Sequence, residues 1–200
     1  MYINIRGKIM AQKLKDDLKT RIFKEANNEI LEKGFENASI RNIAKKCNIS
    51  VGNIYRYYDN KEHLFKSTYG EFLTELNNLL MMYTRNRIAV FTKFHINRLF
   101  DVNELIDELV TNLVLLISNN KEAALLLFIN KMEINNLLLW FSNILKELNK
   151  HRHDTIYYEM CANGLINAIS YCLINAKTQE EMNKNISLYL KTSLDIKKDK

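Results

Sequence analysis

Side chains that can donate hydrogen bonds are concentrated between positions 39 and 61 of the sequence. They are two hydroxyls, two phenols and one ammonium, at Ser39, Ser50, Tyr55, Tyr57 and Lys61. Asn53 can bond to the edge of a base or to a phosphate, and Arg41 is long enough to reach into a groove. Gly52 adds no bulk where a backbone has to approach a partner closely. The chemistry that this set favours is recognition of a nucleic acid.

The basic charge of the chain is confined to the same part of the sequence. The whole chain has a formal net charge of +6, and residues 1–66 hold fourteen Lys and Arg against eight Asp and Glu. The remaining residues are therefore balanced, with equal numbers of basic and acidic side chains. Such asymmetry predicts a polyanionic partner for the first third of the chain alone.

Helical spacing of apolar residues predicts the elements that hold these side chains. A stripe from Leu14 to Ile30 repeats about every four residues and predicts a first helix. This helix ends at Gly34, because glycine readily takes the positive φ of a helix cap. Asp59 and Glu62 have the spacing of a capping box, which predicts that a further helix begins at about position 60.

Between these helices, two short helices joined by the turn at positions 47–50 predict a helix-turn-helix. Ser39 and Ser50 are suited to cap the two helices, and the N–H groups and dipole at such helix starts favour phosphate. Asn48 tolerates the left-handed conformation that the tight turn requires. The core of this unit is predicted to contain Ile43, Ala44, Ile49, Ile54 and Tyr58.

The rest of the sequence keeps the helical pattern, and no stretch alternates with the period of a strand. We therefore expect an all-α protein with an N-terminal three-helix, homeodomain-like helix-turn-helix and a larger C-terminal helical domain. The further helices are predicted at 86–100, 103–119, 121–134, 136–150, 154–176 and 179–195. Asp154 and Thr178 are predicted N-caps of the last two, and Thr178 and Glu181 have the spacing of a second capping box. The predicted organisation is a flexible basic lead-in, the helix-turn-helix, a connector helix and the helical domain, at 1–12, 13–60, 61–82 and 83–200.

Two runs of the sequence, Ile30–Ala44 and Ile49–Phe65, resemble the DNA-binding domain of the TetR family of bacterial repressors. The resemblance implies that the third helix is the recognition helix. The residues that it implies to face bases are Arg41, Val51, Gly52 and Asn53. It implies phosphate contacts at Ser39, Tyr55, Tyr57 and Lys61, and Ser50 joins this group because it starts a helix. Asn48 departs from the glycine that the family commonly has in the turn.

Beyond the helix-turn-helix, the resemblance implies a helical domain that binds an effector and forms a dimer. Candidates for the effector pocket are bulky side chains on strongly apolar helices, and such side chains more often belong to a packed core than to a pocket. They are Phe128, Met132, Trp140 and Phe141.

Apolar stripes near the C-terminus predict a dimer surface in which two helices of each subunit form a four-helix bundle. Gly164 would allow these helices to approach closely. The predicted dimer residues are Ile156, Met160, Leu165, Ile169, Met182, Ile186, Tyr189 and Leu190. A two-fold dimer implies a palindromic operator in double-stranded DNA.

The function that these features favour is a sequence-specific transcription regulator, a repressor released by an unknown small-molecule effector. One alternative is a DNA-binding protein of the same fold with an architectural or division-linked role and no effector. Another alternative is a protein-interaction module. DNA-binding proteins differ from such a module in that their binding to duplexes weakens with salt.

Other classes of function lack their sequence signals. The chain has no glycine-rich phosphate loop, no nucleophile elbow and no carboxylate pair beside a histidine, so neither an enzyme nor a cofactor is expected. His151 and His153 are two residues apart, which does not suit a shared metal on a helix. The longest apolar run, Ala123–Ile129, is too short to span a membrane, and no signal peptide is evident, so we expect a cytoplasmic protein.

Overall fold

The computed structural model describes residues 5–83, 85, 102–149 and 153–194. Regular structure in these ranges is helical, without a strand, which confirms the predicted fold class. The α-helices are α1 (Ile5–Asn37), α2 (Ile40–Lys46), α3 (Val51–Tyr55), α4 (Lys61–Met82), α5 (Val102–Asn119), α6 (Lys121–Ile129), α7 (Ile134–Leu148), α8 (Thr155–Asn175) and α9 (Gln179–Ser193). The chain divides into two compact units, one ending at Glu71 and the other starting at Phe72.

Helix α1 is longer than its apolar stripe predicts. It begins at Ile5, so residues 5–12 are helical and do not form the loose lead-in that was predicted. Adding a residue to an existing helix costs little, so a helix nucleated by packing can continue past its last buried contact. Leu14 is 65% exposed, and the first fully buried residue of the helix is Ile22. The helix is broken by a kink at Gly34, which has the predicted positive φ, at 74°, and a short helical segment continues to Asn37.

Helix α4 begins one residue away from its predicted cap. The side chain of Asn60 accepts a hydrogen bond from the backbone N–H of His63 at 2.7 Å, so Asn60 is the N-cap. The ring of His63 in turn accepts from the backbone N–H of Asp59 at 3.3 Å. The predicted capping box of Asp59 and Glu62 is therefore wrong, because Asn60 accepts the capping bond and the N–H of Asp59 bonds to the ring of His63.

The second unit is organised around α8, which packs against α6, α7 and α9, while α9 also packs against α5. Its helix starts confirm two predicted caps. Asp154 accepts from the N–H of Tyr157 at 2.8 Å, and Thr178 accepts from the N–H of Glu181 at 3.1 Å. The Glu181 carboxylate accepts from the N–H at position 177, one residue before the cap, so the predicted capping box forms only its Thr178 bond.

One predicted helix is shorter in the structure. Helix α6 stops at Ile129, and α7 starts at Ile134, where the sequence predicted one helix to continue through 134. Between them Lys131 and Glu133 both have a φ of 53°, a conformation that ends a right-handed helix. The predicted helix at 86–100 lies outside the described residues.

Three further findings bear on the classes of function. Among the described helices none is by itself long and apolar enough to cross a membrane. Asn103–Asn119 and Lys121–Ile129 reach that length only as a pair bent by 108°. The described residues contain no group of three or more His, Cys, Asp or Glu placed to hold a metal ion. Cys47, Cys161 and Cys172 are free and buried, and burial raises the pKa of each thiol.

Candidate nucleic-acid interface

The turn between α2 and α3 is held by backbone hydrogen bonds and two side-chain caps. Ser39 accepts from the N–H of Asn42 at 3.4 Å, and Ser50 accepts from the N–H of Asn53 at 3.2 Å, as predicted. Asn48 has a φ of 53°, which confirms the predicted left-handed residue. The N–H of Ile49 donates to the carbonyl of Ala44 at 3.0 Å, so the chain folds back onto α2. These bonds fix the direction in which α3 leaves the turn.

The core beneath this turn contains most of the residues that were predicted. Ile43, Ala44 and Ile54 are buried, and Tyr58 is 9% exposed. Ile49 is half-buried, so it seals the edge of the core. The sequence predicts that α3 runs from Val51 to Tyr58. The helix ends at Tyr55, because the chain turns at positions 56 and 57.

The start of α3 forms an exposed tip that consists of Ser50, Val51, Gly52 and Asn53. Ser50 and Gly52 are exposed, and Val51 and Asn53 are half-buried. A Cβ atom added at Gly52 would meet only the Ser50 hydroxyl, at 3.9 Å, and Gly52 lies within a helix. Folding therefore does not require glycine at this position, where alanine would form a better helix. A slim tip is of use to a partner that approaches from outside.

The predicted contact residues differ in their exposure to solvent and in their contacts within the protein. Arg41 is exposed, Tyr55 is 49% exposed and Ser39 is half-buried. Tyr57 is half-buried, and the ammonium of Lys19 lies 5.8 Å from the centroid of its ring. This distance is within the range of a cation–π contact, so α1 reaches the rim of the tip at Lys19.

The ammonium of Lys61 makes a hydrogen bond and ring contacts within its own unit. Its ammonium donates to the carbonyl of Glu36 at 3.0 Å. It also lies 4.9 Å from the ring centroid of Phe35 and 5.8 Å from that of Phe65. An ammonium has three donors, so the bond to Glu36 leaves two for another acceptor. The phosphate contact of Lys61 stays a prediction.

A buried carboxylate, Glu29, joins α1 to the start of α2. Its side chain is fully buried, and Oε1 accepts from Lys33 at 2.7 Å and from the side-chain amide of Asn42 at 2.9 Å. The backbone N–H of Ser39 lies 3.4 Å from the same oxygen, and the Lys46 ammonium lies 3.5 Å from Oε2. Glu29 thus contacts the residue that caps α2 and two side chains of α2 itself.

The donors around Glu29 keep it ionised. Burial would raise the pKa of this carboxyl, but hydrogen bonds from Lys33 and Asn42, with the charge of Lys33, lower the pKa to about 2. Sequence reasoning missed this residue. The signal was present, because Glu29 is seven residues after Ile22 and so falls on the buried stripe of α1.

Comparison with known families identifies this domain. Residues 22–68 match the model of the family described as bacterial regulatory proteins, tetR family. This part of the chain is therefore similar to the N-terminal domain of TetR-family regulators. The matched range begins at the first fully buried residue of α1 and ends within α4, so it contains every residue predicted above to contact nucleic acid.

Solved structures of TetR-type regulators share the fold of the chain. A candidate TetR-family transcriptional regulator from Syntrophomonas wolfei has a TM-score of 0.59 at 17% identity, over 92% of this chain and 98% of that one. A TetR-like transcriptional regulator from Rhodococcus sp. RHA1 has 0.58 at 13%, over 90% and 97%. The fatty acid degradation regulator FadR from Bacillus halodurans has 0.52 at 20%, over 90% and 99%. No curated protein sequence matches the chain.

The residues predicted to line an effector pocket lie in the second unit. Phe128 and Phe141 are buried, whereas Met132 and Trp140 are half-buried. The ring of Phe128 packs edge-on against that of Phe72 at 6.5 Å, and its carbonyl accepts from the Ser170 hydroxyl at 3.0 Å. Phe128 therefore contributes to packing between helices, and a role in ligand binding stays a prediction.

Most of the residues predicted at a dimer surface are inside the subunit. The buried ones are Leu165, Ile169, Met182, Ile186 and Leu190, which hold α8 and α9 in the core of their own unit. For these five the prediction is wrong, because α8 carries apolar residues on more than one face. Ile156 and Met160 are 66% and 68% exposed.

Gly164 allows α8 and α9 to approach closely, as predicted, but within one subunit. A Cβ atom added there would lie 1.8 Å from the hydroxyl oxygen of Tyr189. Tyr189 is half-buried, and its hydroxyl donates to the carbonyl of Cys161 at 3.1 Å. The space that glycine leaves is filled by a tyrosine of the same chain, so Gly164 serves the packing of α8 against α9.

Proposed function

We propose that this TetR-type protein regulates transcription as a dimer, by inserting the N-terminal end of α3 into the major groove of an operator. The observation that carries the proposal is the exposed tip at Gly52. Nothing in the described residues fills the space beside this glycine, and its helix would be more stable with alanine. Glycine at this position has no side chain to keep the helix backbone away from the groove of a DNA duplex.

Within this proposal the contacts divide into two groups. Val51, Gly52 and Asn53 face base edges, with Arg41 as a further base contact, because they lie on or beside the tip. The phosphate group consists of donors on the rim and at helix starts: Ser39, Ser50, Tyr55, Tyr57 and Lys61. The caps at Ser39 and Ser50 support this division, since a helix start presents free N–H groups to an anion.

Selection of bound fragments from a library of random duplexes tests DNA recognition directly. The full-length protein is expected to enrich one sequence with two related halves about 34 Å or more apart. Affinity for this duplex should fall steeply as salt rises, because phosphate contacts release counterions. If the protein enriches no sequence and binds no duplex even in dilute buffer, the proposal is wrong.

A second copy of the chain is supported by the outer face of α8. Ile156, Met160, Tyr171 and Ile174 are between 65% and 69% exposed, and the exposed residues Asn163 and Asn167 lie between them. Their spacing of three and four residues places all six on one helix face. Apolar ends with a polar middle suit pairing with an antiparallel copy of the same helix about a two-fold axis.

Sedimentation of a charged variant tests this dimer. Met160→Glu places a carboxylate in the proposed contact and is expected to shift the protein to monomers. Leu115→Glu is the matched control, since Leu115 on α5 is also exposed, at 49%, and lies outside the α8 face. If both variants sediment like the unaltered protein, α8 is not the dimer surface.

We further propose that the protein is a repressor whose operator affinity falls when a small molecule binds the second unit. Helix α4 supports this, because it runs without a break from Lys61 to Met82 and supplies residues to both units. An effector that favours the unbound form by about 2–3 kcal/mol would weaken DNA binding roughly 30- to 150-fold. Screening metabolites for loss of operator binding tests this. If no ligand alters affinity, the alternative without an effector gains support.

A further inference from the structure

The N-terminal half of α1 extends beyond the core of its unit. Every side chain described between positions 9 and 17 is exposed, including the apolar Ile9, Met10 and Leu14. The first fully buried residue is Ile22. At about 1.5 Å per residue, the helix between Ile5 and Ile22 is roughly 25 Å long. The side chains described between positions 9 and 17 are therefore available to another molecule.

The charge of this extension suits an anionic partner. The sequence from 5 to 19 holds five basic and two acidic side chains. Gln12, Lys15 and Lys19 are separated by three and four residues, so they lie on one helix face. The side-chain amide of Gln12 donates to the carboxylate of Asp16 at 3.1 Å, and the net charge of the segment remains +3. We call the face of Gln12, Lys15 and Lys19 the basic stripe.

The basic stripe starts at the proposed DNA-binding rim. Lys19, at its inner end, lies 5.8 Å from the ring centroid of Tyr57, and Tyr57 is one of the proposed phosphate contacts. Lys15 and Gln12 follow outward on the same face. Continuity with this rim favours DNA over a membrane or a second copy of the chain as the partner of the stripe.

We propose that the basic stripe binds the phosphate backbone of DNA next to the half-site read by α3. This inference rests on the proposed function. From Lys19 to Ile5 the helix continues for about 21 Å. At roughly 3.4 Å per base pair, this length corresponds to about six base pairs of flanking duplex. The contact is independent of sequence, since phosphates carry no base information.

A single pair of variants tests the stripe. Lys15→Gln removes a charge from it, and Lys13→Gln removes an equal charge from an exposed residue on another face of the same helix. The probes are the duplex selected by the unaltered protein, trimmed to its core, and the same core with six base pairs of arbitrary sequence on each side. Affinity is measured over a range of salt concentrations.

The unaltered protein and Lys13→Gln should bind the extended duplex more tightly than the core. Lys15→Gln should lose part of this preference. For a dimer its salt slope on the extended duplex should fall by roughly 1.8, because each of the two subunits then neutralises one phosphate fewer. On the trimmed core the two variants should bind alike. This result supports the stripe.

Three results overturn the inference while leaving the proposed function intact. The first is tight binding of the core with no gain from flanks. The second is an unchanged salt slope for Lys15→Gln together with reduced binding to phosphatidylserine vesicles, which would assign the stripe to a membrane. The third is that Lys15→Gln keeps its full preference for the extended duplex, while the double variant Met10→Gln and Leu14→Gln no longer forms a dimer. This result would assign the extension to a contact between subunits. Failure of the unaltered protein to bind any duplex refutes the proposed function itself.

Discussion

Replacing Gly52 by alanine separates the needs of folding from those of DNA binding. The added methyl group meets only the Ser50 hydroxyl, at 3.9 Å, so it fits inside the protein. Because glycine costs about 0.5–1 kcal/mol relative to alanine in a helix, Gly52→Ala should make the protein slightly more stable. The same methyl group occupies the space through which the backbone of α3 would approach base edges.

Gly52→Ala is expected to weaken DNA binding without destabilising the free protein. Loss of close approach at one base step is worth about 1–3 kcal/mol, which corresponds to roughly 5- to 150-fold weaker binding of the selected operator. Fluorescence anisotropy with a labelled operator measures this loss, and urea unfolding measures the stability of the free protein. The variant should therefore be more stable and bind more weakly, a combination that general damage to the fold cannot produce.

Gly70→Ala is the matched control for Gly52→Ala. Gly70 lies in α4, and a Cβ atom added there has no neighbour within 4 Å. The control should gain stability by a similar amount and keep its operator affinity. If Gly52→Ala binds the operator as tightly as Gly70→Ala, the tip does not approach DNA closely and the proposed role of Gly52 is refuted.

Three other predictions concern packing and charge. Glu29 has a folded pKa of about 2 against 4.5 for the free group, so it should stabilise the fold by up to about 3 kcal/mol above pH 4.5. This stability should be lost as pH falls from 4.5 towards 2, and urea unfolding should show the difference from Glu29→Gln shrinking over that range. Gly164→Ala should destabilise the protein by about 1–3 kcal/mol in the same assay, because its methyl group overlaps Tyr189. Lys61→Met should cost about 1 kcal/mol of stability and lower the salt slope of operator binding, and an unchanged slope would contradict its phosphate role.

Features set by neighbours in sequence could be predicted well. Ser39, Ser50, Asp154 and Thr178 cap helices where predicted, since the capping bond reaches only three residues ahead. Asn48 was predictable because few residues accept a positive φ. The predicted bounds of α4, 61–82, are those found, but its cap was missed by one residue, because adjacent Asp and Asn are equally good caps.

Features set by distant contacts could not be predicted in the same way. The apolar residues of α8 cover several faces, and the sequence does not say which face its own subunit covers. Leu165 and Ile169 are buried in the subunit, whereas Met160 and Ile174, which are apolar residues of the same helix, are exposed. The partners of Glu29 are likewise distant, since Asn42 lies thirteen residues later in the chain. The predicted contacts with DNA, the effector and a second subunit stay predictions.

The buried Glu29 carboxylate has a consequence for how operator binding can be controlled. It fastens α1 to both the first turn and the side chains of α2, and moving either helix alone would strand a charge in the core. Glu29 therefore couples α1 and α2, so that neither is expected to shift without the other. Under the proposed function, an effector would act by moving this coupled pair as one body in each subunit of the dimer.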